Sequence, residues 1–158
     1  MSNYFLDTSA FAKLYHQEAG SEYVERLVEE KGSSAVVSRL SLVEIESVIA
    51  IKVRTGELDI AGQDLFRRRL RADFSQGRVR IGPPVDERHF MCARRLLVRY
   101  GVQMALRTLD ALQLAFALEL RRAGLISIMV SSDLKLCRVA EASGCSAVNP
   151  CDPGLTRP

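Results

Sequence analysis

The feature that most constrains this chain is a regular alternation of short apolar runs with longer segments of helical spacing. Tyr4-Phe5-Leu6, Ala35-Val36-Val37-Ser38, Arg78-Val79-Arg80-Ile81, Ile126 to Val130 and Ser146-Ala147-Val148 are each of strand length. Several are apolar on both faces, as strands of a parallel sheet covered on both sides must be. Between them the apolar residues recur at helical spacing. Ser21 is placed to cap a helix carrying Val24, Leu27 and Val28. Ser41 opens a strongly apolar helix that runs through Val53 and ends near Gly56. Phe66, Leu70 and Phe74 mark a third helix from about Asp59. Further helices are expected from about Asp86 to Tyr100, from Arg107 or Thr108 to Gly124, and from an Asp133 cap to Gly144. The expected fold is α/β, a sandwich of helices on each side of a central parallel sheet.

With 158 residues the chain has the length of one domain, expected over 1–150, with a proline-bearing tail at 151–158. A hydrophobic fraction of 47% argues for a packed core and against disorder. No apolar stretch approaches the ~20 residues that span a bilayer. The N-terminal sequence has no basic run ahead of an apolar one, so a cytoplasmic protein is expected. Cys92, Cys137, Cys145 and Cys151 form no close C-x-x-C pair, and His16 and His89 add little, so reduced thiols are expected rather than a zinc site. A net charge of +3 does not identify a nucleic-acid binder. Arg67, Arg68, Arg69 and Arg71 do cluster, but such runs usually mark a solvated helix face.

Four acids fall at strand ends or in first turns, where open parallel sheets bind ligands. Each has an ordinary explanation as well. Asp7 follows the first strand and is placed to cap what comes next. Glu44 stands three residues after Ser41, the spacing of a capping box. It also shares a helix face with Val48 and Ile51, where a carboxylate is costly unless paired. Glu46 falls on roughly the opposite side. Asp110 lies where it favours the helix dipole, yet its face carries Gln113, Leu114 and Ala117. Asp133 has the look of a helix cap.

Gathered around one crevice, four bare carboxylates repel one another and are driven toward protonation. A divalent cation resolves that conflict, and an all-oxygen donor set suits Mg²⁺ or Mn²⁺ better than zinc. Displacement at phosphorus is the chemistry such a site performs best. No Gly-rich phosphate loop or G-x-S-x-G elbow competes.

The segments Phe5-Leu6-Asp7-Thr8-Ser9-Ala10, Leu42-Val43-Glu44-Ile45, Leu109-Asp110-Ala111-Leu112-Gln113-Leu114-Ala115 and Val130-Ser131-Ser132-Asp133 resemble the PIN-domain family. More narrowly, they resemble the VapC-type toxins of toxin–antitoxin pairs. The resemblance runs from Tyr4 to about Pro150. It implies a Rossmann-like α/β/α sandwich and Mg²⁺- or Mn²⁺-dependent endoribonuclease activity. It also implies that Asp7, Glu44, Asp110 and Asp133 form the metal-binding and catalytic quartet, Asp7 and Asp110 holding the principal ion. Ser9 and Ser131 match hydroxyls that orient a carboxylate or water; at Ser131 the family more often has Thr. Arg67, Arg68, Arg71 and Arg107 are the expected contacts for the RNA backbone. A cognate antitoxin laid across the groove and a homodimer are the implied partners, with the helices at 42–53 and 59–74 as candidate surfaces. Two other readings remain open from the residues: a metal-dependent phosphoesterase acting on DNA or small phosphate esters, and a catalytically silent RNA- or protein-binding module.

Overall fold

The computed structural model describes residues 3–154; the last part of the expected tail, residues 155–158, lies outside the described residues, as do the first two. The chain runs β1 (Asn3–Leu6), α1 (Thr8–Phe11), a 3-10 turn (Ala12–Leu14), α2 (Ser21–Glu29), β2 (Ser34–Val37), α3 (Arg39–Arg54), α4 (Ile60–Ser75), β3 (Val79–Ile81), α5 (Glu87–Met104), α6 (Thr108–Arg122), β4 (Ile128–Val130), α7 (Leu134–Ala142) and β5 (Ala147–Val148). All strand pairs are parallel, in the order β3-β2-β1-β4-β5. The expected α/β class and three-layer arrangement are what the structure shows.

The alternation of side chains along each strand divides the interior in two. Phe5, Val36, Met129 and Ala147 point into a core shared with α5, α6 and α7. Tyr4, Leu6, Ala35, Val37, Val130 and Val148 point the other way, into a core with Phe11, Val24, Ile45, Ile49 and Phe66. β1 lies between β2 and β4 and is buried on both faces, so its apolar run is short but unbroken. The order of strands reverses between β1 and β4. A sheet of this kind opens a crevice at that switch point, beyond the carboxyl ends of the strands.

Several local expectations shift. The cap of α3 is Ser38, whose hydroxyl accepts from the Ser41 backbone N–H at 3.2 Å. The Ser41–Glu44 spacing is therefore no capping box: Ser41 is buried inside the helix, and Glu44 sits in its second turn. Ser21 is the first residue of α2 rather than its cap, and its hydroxyl accepts from the Glu18 N–H at 3.0 Å. Helix α1 carries too few residues to show a period. Asp59 and Asp86 do cap α4 and α5, accepting from Gly62 and Arg88 backbone N–H groups.

The two helices α5 and α6 are clamped through a buried imidazole. His89 Nδ1 accepts from the Asp86 N–H at 3.0 Å, its Nε2 lies 3.0 Å from Glu119 Oε2, and its ring stacks on Phe116 at 5.2 Å. Phe116 also meets Phe5 at 5.7 Å and so locks α6 to the central strand. Gly82, just after β3, touches the tip of that ring. A Cβ there would lie 2.6 Å from Phe116 Cζ and 3.4 Å from Val36 Cγ2. Because Phe5 and His89 hold the ring, it has nowhere to retreat. Gly82→Ala is expected to lower stability by about 1–3 kcal/mol, measured as a reduced urea midpoint at unchanged m-value.

Candidate active site

The crevice at the switch point is an open cleft of about 360 Å³, lined by Asp7, Thr8, Ser9, Glu44, Ser47, Val48, Ile51, Arg107, Leu109, Asp110 and Asp133. The four acids picked from the sequence thus line one cleft. Each arrives from a different element: the end of β1, the second turn of α3, the first turn of α6, and the turn between β4 and α7.

Asp7 is the buried member, only 6% exposed. It stands at the N-cap position of α1, but its side chain makes no capping hydrogen bond. Both Ser9 and Ser131 donate instead to its Oδ2, at 2.8 and 3.0 Å. Burial is the main cause that pushes the Asp7 carboxyl up to about 6; the two hydroxyls pull it back, and the nearby charges of Glu44 and Asp110 push it further up. The Ser9 hydroxyl also accepts from the Ser132 N–H at 2.9 Å, and Ser131 Oγ accepts from the Asp133 N–H at 3.1 Å. The two serines thereby tie the end of β1 to the end of β4.

Glu44 is held by residues that the sequence did not single out. Thr8 donates to Glu44 Oε2 at 2.9 Å, and the Gln113 amide donates to the same oxygen. Gln113 is buried and its orientation is fixed: Ser38 donates to Oε1 at 2.8 Å, while Nε2 also faces Thr8 Oγ1 at 3.1 Å and Ser41 Oγ at 3.0 Å. A signal for Gln113 was present, since a polar side chain shared the apolar face of α6 with Asp110. Thr8 carried none.

Asp133 serves two purposes. Its Oδ1 caps α7, accepting from Lys135 N–H at 2.8 Å and Leu136 N–H at 3.2 Å, and its Oδ2 faces the cleft. Asp110 meets Arg107, whose Nε donates at 2.8 Å. Of the four arginines expected to contact a phosphate chain, only Arg107 lines the cleft. Arg67, Arg68 and Arg71 lie along α4, and Arg67 is engaged by Glu46 at 2.7 Å, which accounts for Glu46 standing outside the acid group.

The donor set of the cleft, carboxylates and hydroxyls with no thiol or imidazole, suits a hard cation. Among the described residues, the one trio of potential ligands whose donor atoms lie within 4.8 Å of one another is elsewhere: Asp86, His89 and Glu119. There Arg88 already approaches both carboxylates, at 2.7 and 3.5 Å.

Comparison with known proteins bears on this arrangement. The crystal structure of VapC20 from Mycobacterium tuberculosis, described as a sarcin-ricin loop cleaving toxin, superposes with a TM-score of 0.62 at 22% identity, over 90% of this chain and 95% of that one. FitAcB from Neisseria gonorrhoeae superposes with a TM-score of 0.60 at 15% identity, over 93% and 97% of the two chains. PAE2754 from Pyrobaculum aerophilum gives 0.52 at 22% identity, over 87% and 79%. Identities this low speak for the fold. No curated protein matches the sequence. The PIN-domain family model matches residues 4–142, a span that takes in β1 from Tyr4 on, β2, β3, β4 and all four acids of the cleft, and on that match the chain belongs to the PIN-domain family.

Proposed function

We propose that the chain is a Mg²⁺- or Mn²⁺-dependent endoribonuclease whose site is Asp7, Glu44, Asp110 and Asp133, and that it is the toxin of a toxin–antitoxin pair. Family membership and the likeness to VapC20 support a nuclease. The observation that carries the reading is the buried Asp7 carboxylate facing Glu44 and Asp110 at the switch point, a concentration of negative charge that a cation would relieve. Asp7 and Asp110 would hold the ion, with Glu44 and Asp133 completing the site. A divalent cation there supplies an acidified water, a neutralised phosphate and a stabilised leaving oxygen.

The chain's own residues do the rest. Ser9 and Ser131 fix one Asp7 oxygen and leave the other to accept a ligand or a proton. Gln113 and Thr8 hold one Glu44 oxygen in the same way. In-line attack by water leaves a 5′-phosphate and a 3′-hydroxyl. The antitoxin surface is proposed on α3 and α4, where Val43, Ile51, Ile60 and Leu65 are exposed and Ile51 borders the cleft. A homodimer is the proposed working form.

With Mg²⁺ or Mn²⁺, purified protein should cleave cellular RNA to products with 5′-phosphates. Asp7→Asn should lower the rate more than ~100-fold, and EDTA should abolish it. Products ending in 2′,3′-cyclic phosphates would overturn the mechanism, and an intact panel of cellular RNAs would favour a binding module.

Charge at Asp7 should also cost stability. Its folded-state pKa of about 6 lies above the unfolded value, so the fold prefers the protonated acid. Asp7's contribution to stability without metal is fullest below pH ~4, falls as pH rises through ~6, and is flat above. Asp7→Asn removes that fall and should be more stable than wild type at pH 8 by on the order of 1–3 kcal/mol, with the advantage shrinking at pH 4. Thermal melts of both proteins in EDTA at the two pH values check this. Finally, expression with the neighbouring reading frame should yield a co-purifying small partner, and Ile51→Asp with Leu65→Asp should release it.

A further inference from the structure

Resting on the metal reading just given, one side chain in the cleft takes on a role of its own. Arg107, at the N-cap position of α6, makes no capping hydrogen bond. Its guanidinium bridges two of the acids: Nε donates to Asp110 Oδ2 at 2.8 Å, and one terminal nitrogen reaches Asp110 Oδ1 at 3.5 Å and Asp133 Oδ2 at 3.4 Å. It is the one cationic residue among those lining the cleft.

We propose that Arg107 is a resident counter-ion of Asp110 and Asp133, a role that a divalent cation takes over when the site is loaded. The competition is for particular atoms. Asp133 spends Oδ1 on the cap of α7, so Oδ2 is its free oxygen, and that is the oxygen Arg107 holds. At Asp110 the guanidinium faces both oxygens. A cation entering there meets like charge as well as occupied lone pairs. With the guanidinium inserted, the site's acids do not gather their oxygens within 4.8 Å in threes, as Asp86, His89 and Glu119 do.

Release is easy, because the Arg107 side chain is 74% exposed and carries no buried packing to break. The backbone that presents it is set by Ala105, in a left-handed conformation at φ 52° that ends α5 and turns the chain into α6. Once displaced, the guanidinium remains at the rim of the cleft, where its planar fork suits a phosphate. Arg107 thus passes from the acids to the substrate as metal and phosphate arrive together.

Mn²⁺ binding to the full chain, followed by the electron paramagnetic resonance signal of the free ion, tests this apart from activity. Arg107→Gln should bind Mn²⁺ about three- to five-fold tighter than wild type, and Arg107→Lys, which keeps the charge, should stay near wild type. In cleavage assays Arg107→Gln should reach half-maximal rate at lower Mn²⁺ yet show a raised KM for RNA at saturating Mn²⁺. Mn²⁺ binding by Arg107→Gln that equals or falls below wild type overturns the role of Arg107 alone. Wild type and Asp7→Asn that titrate alike remove the metal site itself, and this inference with it.

Discussion

A carboxylate at the end of a strand buried on both faces has little water to turn to, and much of this site follows from how Asp7 is satisfied. Two hydroxyls, Ser9 and Ser131, converge on one of its oxygens. Ser131 begins the segment after β4, so the bonds that keep Asp7 hydrogen-bonded also tie the two strands flanking the switch point. The place where the sheet is topologically open and the place where charge is concentrated are thus the same place. Relieving that charge is a problem the fold solves only in part. Its remainder is the charge that the proposed cation would relieve.

Gln113 is the second organising element. It is almost wholly buried, and one amide gathers Ser38 and Ser41 of the α3 start, Thr8 of α1 and Glu44. A buried amide with all its bonds made is rigid and specific, and one left unmade is expensive. Replacing it with an isosteric apolar residue would leave Glu44 held by Thr8 alone and take one hydrogen-bond partner each from Ser38, Ser41 and Thr8. The acid and the amide are therefore one unit drawn from helices on opposite faces of the sheet.

Much of this was readable from sequence. The β/α alternation and the two-faced apolar strands led to the parallel sheet, because burial on both sides leaves a plain compositional trace. Asp7 and Asp133 were legible by their positions at strand ends, and Glu44 and Asp110 by the apolar helix faces they share. What was not legible depends on atoms that meet only in three dimensions. Ser41 and Glu44 have capping-box spacing, yet Ser38 takes the cap, because the helix begins at Arg39 directly after β2. Thr8 looks like any residue after a strand, and its role exists only because Glu44 comes to it from 36 residues away. Arg107 read as a substrate contact by charge alone, whereas its ion pairs depend on how Ala105 turns the chain. The arginine run on α4 was conspicuous in sequence and lies outside the cleft lining.

The strand order carries one more consequence, in time rather than in space. β1 is made first but sits in the middle, and its second neighbour, β4, begins only at Ile128. As the chain leaves the ribosome, Asp7, Glu44 and Asp110 all emerge before the strand that closes the crevice, and Ser131 and Asp133 follow it. Such long-range parallel pairing is slow and must wait for sequence-distant partners. A partly made chain therefore carries three of the acids without the cleft that joins them. The four acids share one cleft only once Ser131 and Asp133 have been added, so a chain cut short before them lacks it.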